Sequence, residues 1–214
     1  GGSQSNSDKE PETETWKKDN ALKVLTIGNS FSDDTMEYVY FIAKDLGIEN
    51  VFLGNLYIGG CTLATHAANA KKNMPMYEYR TNDSGVWNTE RVYPIKRALL
   101  SQNWDFVSLQ QASGSSGMQD TYGDLAYLIN YVKTYAPSAE IVWNMTWAYE
   151  QTSSHGEFVK YENSQEKMYN CIVSAVKNCV LTQSSVKKVI PCGTAIQNAR
   201  TSYVGDRLTR DGYH

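Results

Sequence analysis

The chain has 214 residues, 41% of them hydrophobic and 20% charged, the size and balance of one globular domain and not of a disordered polymer. Its net charge of −3 argues against a protein that grips nucleic acid by its phosphates, and no apolar run approaches the length of a membrane span. Tyrosine outnumbers phenylalanine 15 to 5; rings with an apolar body and a polar tip suit a wet cleft for a polar substrate, or equally an amphipathic surface.

Residues 1–20 are small, polar and charged, with Trp16 as the one large apolar side chain, so they are expected to form a flexible tether ahead of a domain spanning 21–214. Such a tether is expected downstream of an export or lipid-anchoring signal, which places the protein in a secreted, periplasmic or cell-surface setting; a ragged cytosolic N-terminus is the alternative.

The elements then alternate. Residues 22–27 are a short apolar run stopped by Gly28, a buried strand; 35–46 read as a helix with Asp33 and Asp34 as cap candidates and Gly47 as terminator. A second strand covers 51–58, and residues 77–91 alternate aromatic and polar side chains around Asn82-Asp83-Ser84-Gly85, which reads as an inserted β-hairpin on the rim. Its Tyr and Trp side chains either wall a substrate or pack the hairpin down. A helix at 94–102, a strand at 104–109, a helix at 122–135 and a strand at 140–146 follow. A long helix at 159–181 carries Met168, Ile172, Val176 and Val180 in one row, before a strand at 186–191 and a short helix at 194–202. Near-continuous apolar strands between helices predict a doubly wound α/β/α sandwich with a parallel sheet of about five strands.

Cys171 and Cys179 sit too far apart on one helix for a direct bridge, so a disulfide, if present, would join Cys192 to one of them; four half-buried free thiols, Cys61 included, is the other reading. The cysteines and histidines lack the spacing of a zinc site.

In such a sheet ligands bind outside the carboxyl ends of the strands. Ser30 stands on the sharp turn after the first strand, where free N–H groups at a helix start favour an oxyanion; the same position also suits a plain N-cap serine. A serine needs a base, and His214, three residues after Asp211, supplies one whose tautomer the carboxylate can fix. Gly60 after the second strand and Gln110 or Gln111 after the third are candidate oxyanion donors, Gln110 preferred because it directly follows the strand. Gly60 could equally just end a strand. Asn29, Tyr57, Trp147 and His155 fall on the same rim as candidate substrate contacts, whereas His66, in a polar Ala-rich stretch, is expected to be solvated.

Gly28-Asn29-Ser30-Phe31-Ser32 resembles the GDSL block of the SGNH hydrolases, with Asn29 in the place of the usual Asp. The stretch ending in GGCTLATH resembles their second block through Gly60, and Asp211-Gly212-Tyr213-His214 matches their closing DxxH. Their third block, GxND, is absent; VSLQQASGSSG stands there, similar to carbohydrate-esterase branches that carry a Gln-containing block. The resemblance spans residues 22–214. It implies a flavodoxin-like fold and ester hydrolysis through an acyl-serine, with no metal or cofactor. A small acyl group, acetyl first, on a carbohydrate is the expected substrate, because Tyr, Trp, Asn and Ser on the rim suit sugars better than long acyl chains.

The alternatives are an inactive SGNH fold that binds glycans and, less favoured, a flavodoxin-like phosphate or FMN module. The latter would set Asp33 and Asp34 beside the phosphate and has neither a lysine in the loop nor a glycine-rich signature. A base on the last residue would sit on a fraying end beside a free carboxylate, so the natural chain is expected to continue past His214 with a further helix.

Overall fold

The structure, a computed structural model, describes residues 19–214, so all but the last two residues of the expected tether lie outside it. Strand β1 (Ala21–Gly28) leads into α1 (Ser30–Met36) and α2 (Val39–Asp45), and β2 (Asn50–Tyr57) into α3 (Leu63–Lys72). Strands β3 (Tyr77–Asn82) and β4 (Asn88–Tyr93) form the hairpin. Then come α4 (Ile95–Ser101), β5 (Phe106–Leu109), α5 (Leu125–Tyr135), β6 (Glu140–Asn144), α6 (Gln165–Ala175), β7 (Val186–Ile190) and α7 (Cys192–Arg200).

All seven strands join one sheet in the order β4-β3-β2-β1-β5-β6-β7. The five expected strands pair in parallel, and their order is the doubly wound one that reverses beside β1. The hairpin does not stand apart on the rim. It extends the sheet, β3 running antiparallel to β2, because Tyr77, Tyr79 and Tyr93 bury their rings in the main core. Helices cover both faces. Alternation along β1 divides its side chains: Leu25 and Ile27 enter the large core, whereas Leu22 and Val24 meet the smaller one formed by Met36, Ala43, Val51 and Leu53.

Two expected helices change. The helix expected at 35–46 begins at Ser30 instead, since the Asn29 side chain, not Asp33 or Asp34, caps it by accepting from the Phe31 N–H at 3.0 Å, and it breaks into two. The helix expected at 159–181 becomes a 3-10 turn (Gly156–Tyr161), α6 and a π-turn (Val176–Val180). Glu162 and Asn163 take positive φ, 56° and 51°, and interrupt it, and Ser164 then caps α6.

Helix α3 has no counterpart among the expected elements. Thr62 caps it and Asn73, at φ 48°, ends it in the left-handed region, while Leu63, His66, Ala67 and Ala70 form its buried stripe. His66 is therefore completely buried and not solvated. Its Nδ1 lies 2.7 Å from the Tyr77 hydroxyl and 3.4 Å from Cys61 Sγ, and Nε2 has no hydrogen-bond partner among the described residues. All four cysteines are free thiols. Among the described residues no helix is long and apolar enough to cross a membrane.

Burial disfavours the charged imidazole and lowers the His66 pKa from 6.5 to about 3. Between those values the unfolded chain binds a proton that the folded chain refuses, so stability is complete above the upper value and falls as the pH drops through the window. The contribution of this one group approaches about 1.4 kcal/mol per pH unit. Unfolding followed from pH 7 to pH 4 is expected to show a smaller acid loss of stability in His66→Gln than in the native chain; equal slopes would show that His66 does not carry the effect.

Candidate active site

The turn between β1 and α1 is built around Asn29, which is almost fully buried. Its Oδ1 accepts from the Phe31 N–H and from Gln110 Nε2, the latter at 2.9 Å, while its Nδ2 donates to the Cys61 carbonyl at 3.3 Å. Gln110 Oε1 in turn accepts from Asn144 Nδ2 at 3.0 Å, and the same Nδ2 also reaches Thr35 Oγ1. Three buried amides thus run from the end of β6, past the end of β5, to the end of β1. Gly28 leaves room for them, since a Cβ there would lie 2.6 Å from Ser32 Oγ and 2.9 Å from Gln110 Cδ. Beside them, Asn55 Oδ1 accepts from the Thr26 and Ser32 hydroxyls at 2.8 and 2.9 Å and its Nδ2 donates to Asp33.

Ser30, freed by this scaffold from any capping duty, points its hydroxyl at the C-terminal segment. Ser30 Oγ lies 2.6 Å from His214 Nε2, and His214 Nδ1 lies 2.7 Å from Asp211 Oδ2. Asp211 Oδ1 accepts the backbone N–H groups of Tyr213 and His214 at 3.0 and 2.6 Å. Partial burial pushes the Asp211 carboxyl up, but those N–H groups and the imidazole outweigh it and hold the group below its ordinary value. The imidazole is walled by the Phe31 and Tyr213 rings, with centroids 5.3 and 4.4 Å away.

Ser30 and His214 open on a cleft of about 550 Å³ that Asn29, Gly60 and His155 also line. The first N–H groups of a helix have no intrahelical partner, which leaves that of Ser30 available. Gly60, at φ +63°, carries no hydrogen bond on its N–H among the described residues. Of the expected substrate contacts, His155 accepts the Glu157 N–H on Nδ1 at 3.1 Å, so in the neutral ring its proton sits on Nε2; burial lowers its pKa and favours that neutral form. Two others are elsewhere. Trp147 is buried against Phe31 at 4.4 Å and donates Nε1–H to the Tyr213 carbonyl at 2.8 Å, a brace for the C-terminal segment. Tyr57 lies beneath the Arg80 guanidinium, 3.7 Å from its ring centroid, and is not among the residues lining the cleft.

Neither glutamine presents an amide to the cleft. Gln110 is spent on Asn29 and Asn144. Gln111 Oε1 accepts from the Leu63 and Ala112 N–H groups at 3.0 and 2.8 Å, and its Nε2 donates to Thr121. Both are buried, and the short turn Ser113–Ser115 takes the place at the cleft that they were expected to fill. Thr62, Glu157, Lys160 and Tyr213 also line the cleft and were not singled out in the sequence. The cap signal of Thr62 was legible; the others reach the site from loops whose course no local spacing dictates.

Residues 23–214 match the family described as "Domain of unknown function (DUF4886)". The chain belongs to the DUF4886 family. It is 42% identical to a DUF4886 family protein of Bacteroides uniformis, with a TM-score of 0.87 over 91% of this chain and 76% of that one. No curated protein matches it. More distant structures share the fold. A protein assigned to the SGNH hydrolases from Slackia heliotrinireducens has a TM-score of 0.54 at 19% identity, over 91% of this chain and 90% of that one. A protein assigned as a GDSL-like lipase from Parabacteroides merdae has a TM-score of 0.53 at 15% identity, over 91% and 89%. This DUF4886 chain therefore has the architecture of SGNH and GDSL-like hydrolases.

Deleting the middle amide should loosen the turn that carries Ser30. Gln110→Leu removes one hydrogen bond from Asn29 Oδ1 and one from Asn144 Nδ2, which keep only the Phe31 N–H and Thr35 Oγ1, at a cost of about 1 kcal/mol for each bond. A fall of several degrees in the melting midpoint is expected, and an unchanged midpoint would show that the amides are not coupled.

Proposed function

We propose that this DUF4886 protein is a serine ester hydrolase working through an acyl-serine. The observation that carries the reading is the unbroken line of short contacts from Asp211 through His214 to Ser30 at the mouth of a cleft. Ser30 Oγ attacks the ester carbonyl as His214 Nε2 takes its proton, and Asp211 keeps the imidazole oriented and stabilises its charge. The Ser30 and Gly60 N–H groups receive the negative charge that develops on the carbonyl oxygen. The third donor falls to the turn Ser113–Ser115, whose leading N–H groups border the same cleft, and not to a glutamine side chain. His214 then returns its proton to the departing alcohol, and water repeats the cycle on the acyl-enzyme. These steps call on no metal or cofactor.

The acyl group is short, acetyl first, and the alcohol is a carbohydrate. Thr62, Ser113, His155, Glu157 and Lys160 border the cleft, a poor lining for a long hydrocarbon tail. The Gln-containing third block, similar to carbohydrate-esterase branches, points the same way, although here its glutamines act as scaffold.

Ser30→Ala is expected to lower p-nitrophenyl acetate hydrolysis by about a thousandfold or more with the melting midpoint retained, and to abolish labelling by a fluorophosphonate. Hydrolysis close to that of the native chain would exclude Ser30 as the nucleophile. Among p-nitrophenyl esters from C2 to C12, rates should fall beyond C4, and acetate should be released from acetylated polysaccharides; a preference for C8 or longer would overturn the substrate assignment.

A further inference from the structure

The departing alcohol must reach His214 Nε2 to collect its proton, so the bulk of an ester's alcohol part lies on the His214 side of the site. Beyond His214 the surface does not close. A second cavity of about 460 Å³ shares His214 with the catalytic cleft. A third, of about 390 Å³, shares Asp34, Glu37 and Arg210 with the second and ends against Trp87. Together they form a groove leading from the catalytic base to the hairpin.

Its chemistry is specific. Trp87 is the hairpin ring not buried in the main core; it is partly buried against the smaller core and lines the groove with the rest. Arg80 is held in place by Glu78, at 2.7 Å, by Asp33, and by its stacking on Tyr57, so its guanidinium is a fixed planar group. Arg210, largely exposed, bonds Asp34 Oδ1 at 3.2 Å, and Glu37 has no ion pair among the described residues. A rigid aromatic face beside planar carboxylates and guanidinium groups matches the apolar face and paired hydroxyls of a sugar ring. The three carboxylates Asp33, Asp34 and Glu37 outnumber the two guanidinium groups, which disfavours a polyanionic glycan, while nearer His214 the wall is Trp147, Ile196 and Leu208, apolar surface for the face of a ring.

We propose that this groove binds the carbohydrate that carries the ester, as a neutral oligosaccharide with one ring on Trp87 and its esterified end at Ser30. The proposal rests on the ester-hydrolase reading for its direction, and it names a binding site that can be measured without catalysis. In the Ser30→Ala protein, titration calorimetry with neutral gluco-, manno- and xylo-oligosaccharides of one to six residues should show affinity rising at least tenfold from monomer to hexamer for one series. Trp87→Ala in that background should weaken the hexamer at least tenfold and Trp87→Phe by less, with the fold of each variant confirmed by its melting midpoint. Tyr203→Ala, at a fully exposed position that lines neither cavity, serves as the control expected to leave binding unchanged. Failure of every series to bind, or a hexamer affinity that neither exceeds that of the monomer nor responds to Trp87→Ala, overturns the proposal. Chain-length-dependent, Trp87-dependent binding by a native chain that does not hydrolyse p-nitrophenyl acetate would retain the carbohydrate groove and remove only the hydrolase.

Discussion

The structure depends on the hydrogen bonds made by the Asn29 side chain. Amides in a core are costly unless satisfied. Here Gln110 bonds both Asn29 and Asn144 across the carboxyl ends of three parallel strands, and of the three side chains only the Asn144 Oδ1 is left buried without a partner among the described residues. The arrangement turns a desolvation cost into geometric definition: the strand ends are tied in register, and Asn29 keeps an oxygen for the Phe31 N–H, so α1 starts at Ser30. Because the cap is Asn29, the Ser30 hydroxyl is left for His214. Gln110 thus supplies a partner for the amide oxygen at position 29.

The other half of the site comes from the far end of the chain, and it is secured differently. Residues 206–214 cross the sheet's carboxyl edge as an irregular strap, and a strap needs anchors along its length. Buried Arg200 pairs with Asp206 at 2.9 Å, the Glu150 side chain accepts the Thr209 N–H, the Glu150 N–H meets the Gly212 carbonyl, and Trp147 holds the Tyr213 carbonyl. Arg210 adds a bridge to Asp34 on α1. His214 is therefore positioned by contacts between the strap backbone and the loop after β6, while Ser30 is positioned by side-chain amides at the end of β1. The two halves meet at a 2.6 Å contact between residues 184 apart in sequence.

Much of this was legible one residue type at a time. Apolar runs separated by helical periods marked the five parallel strands, because central strands covered on both faces must be largely apolar, while the edge strand β7 keeps Lys187 and Lys188 exposed. Ser30 on a sharp turn and the Asp211–His214 spacing marked the catalytic candidates, because a three-residue separation in a tight turn already fixes how a carboxylate can meet an imidazole. Helix α3 gives no bulky apolar period, because its buried stripe is one leucine, two alanines and a histidine, although Thr62 and Asn73 bracket it with readable caps. Trp147, expected as a substrate contact, is buried, braces the Tyr213 carbonyl and lines the second cavity beside His214, since exposure is a property of the fold and not of the residue.

The sequence by itself determined the alternation of elements, the five-stranded parallel core and the residue types able to form a nucleophile, base and acid, because these follow from periodicity, capping and short-range spacing. Tertiary structure alone decided where each polar side chain spends its hydrogen bonds. It turned Gln110 and Gln111 inward as scaffold, buried His66, set the hairpin into the sheet and left Trp87 beside a groove. Those outcomes depend on which groups meet across strands and loops far apart in the chain, and burial makes each unsatisfied polar atom costly enough to select one arrangement.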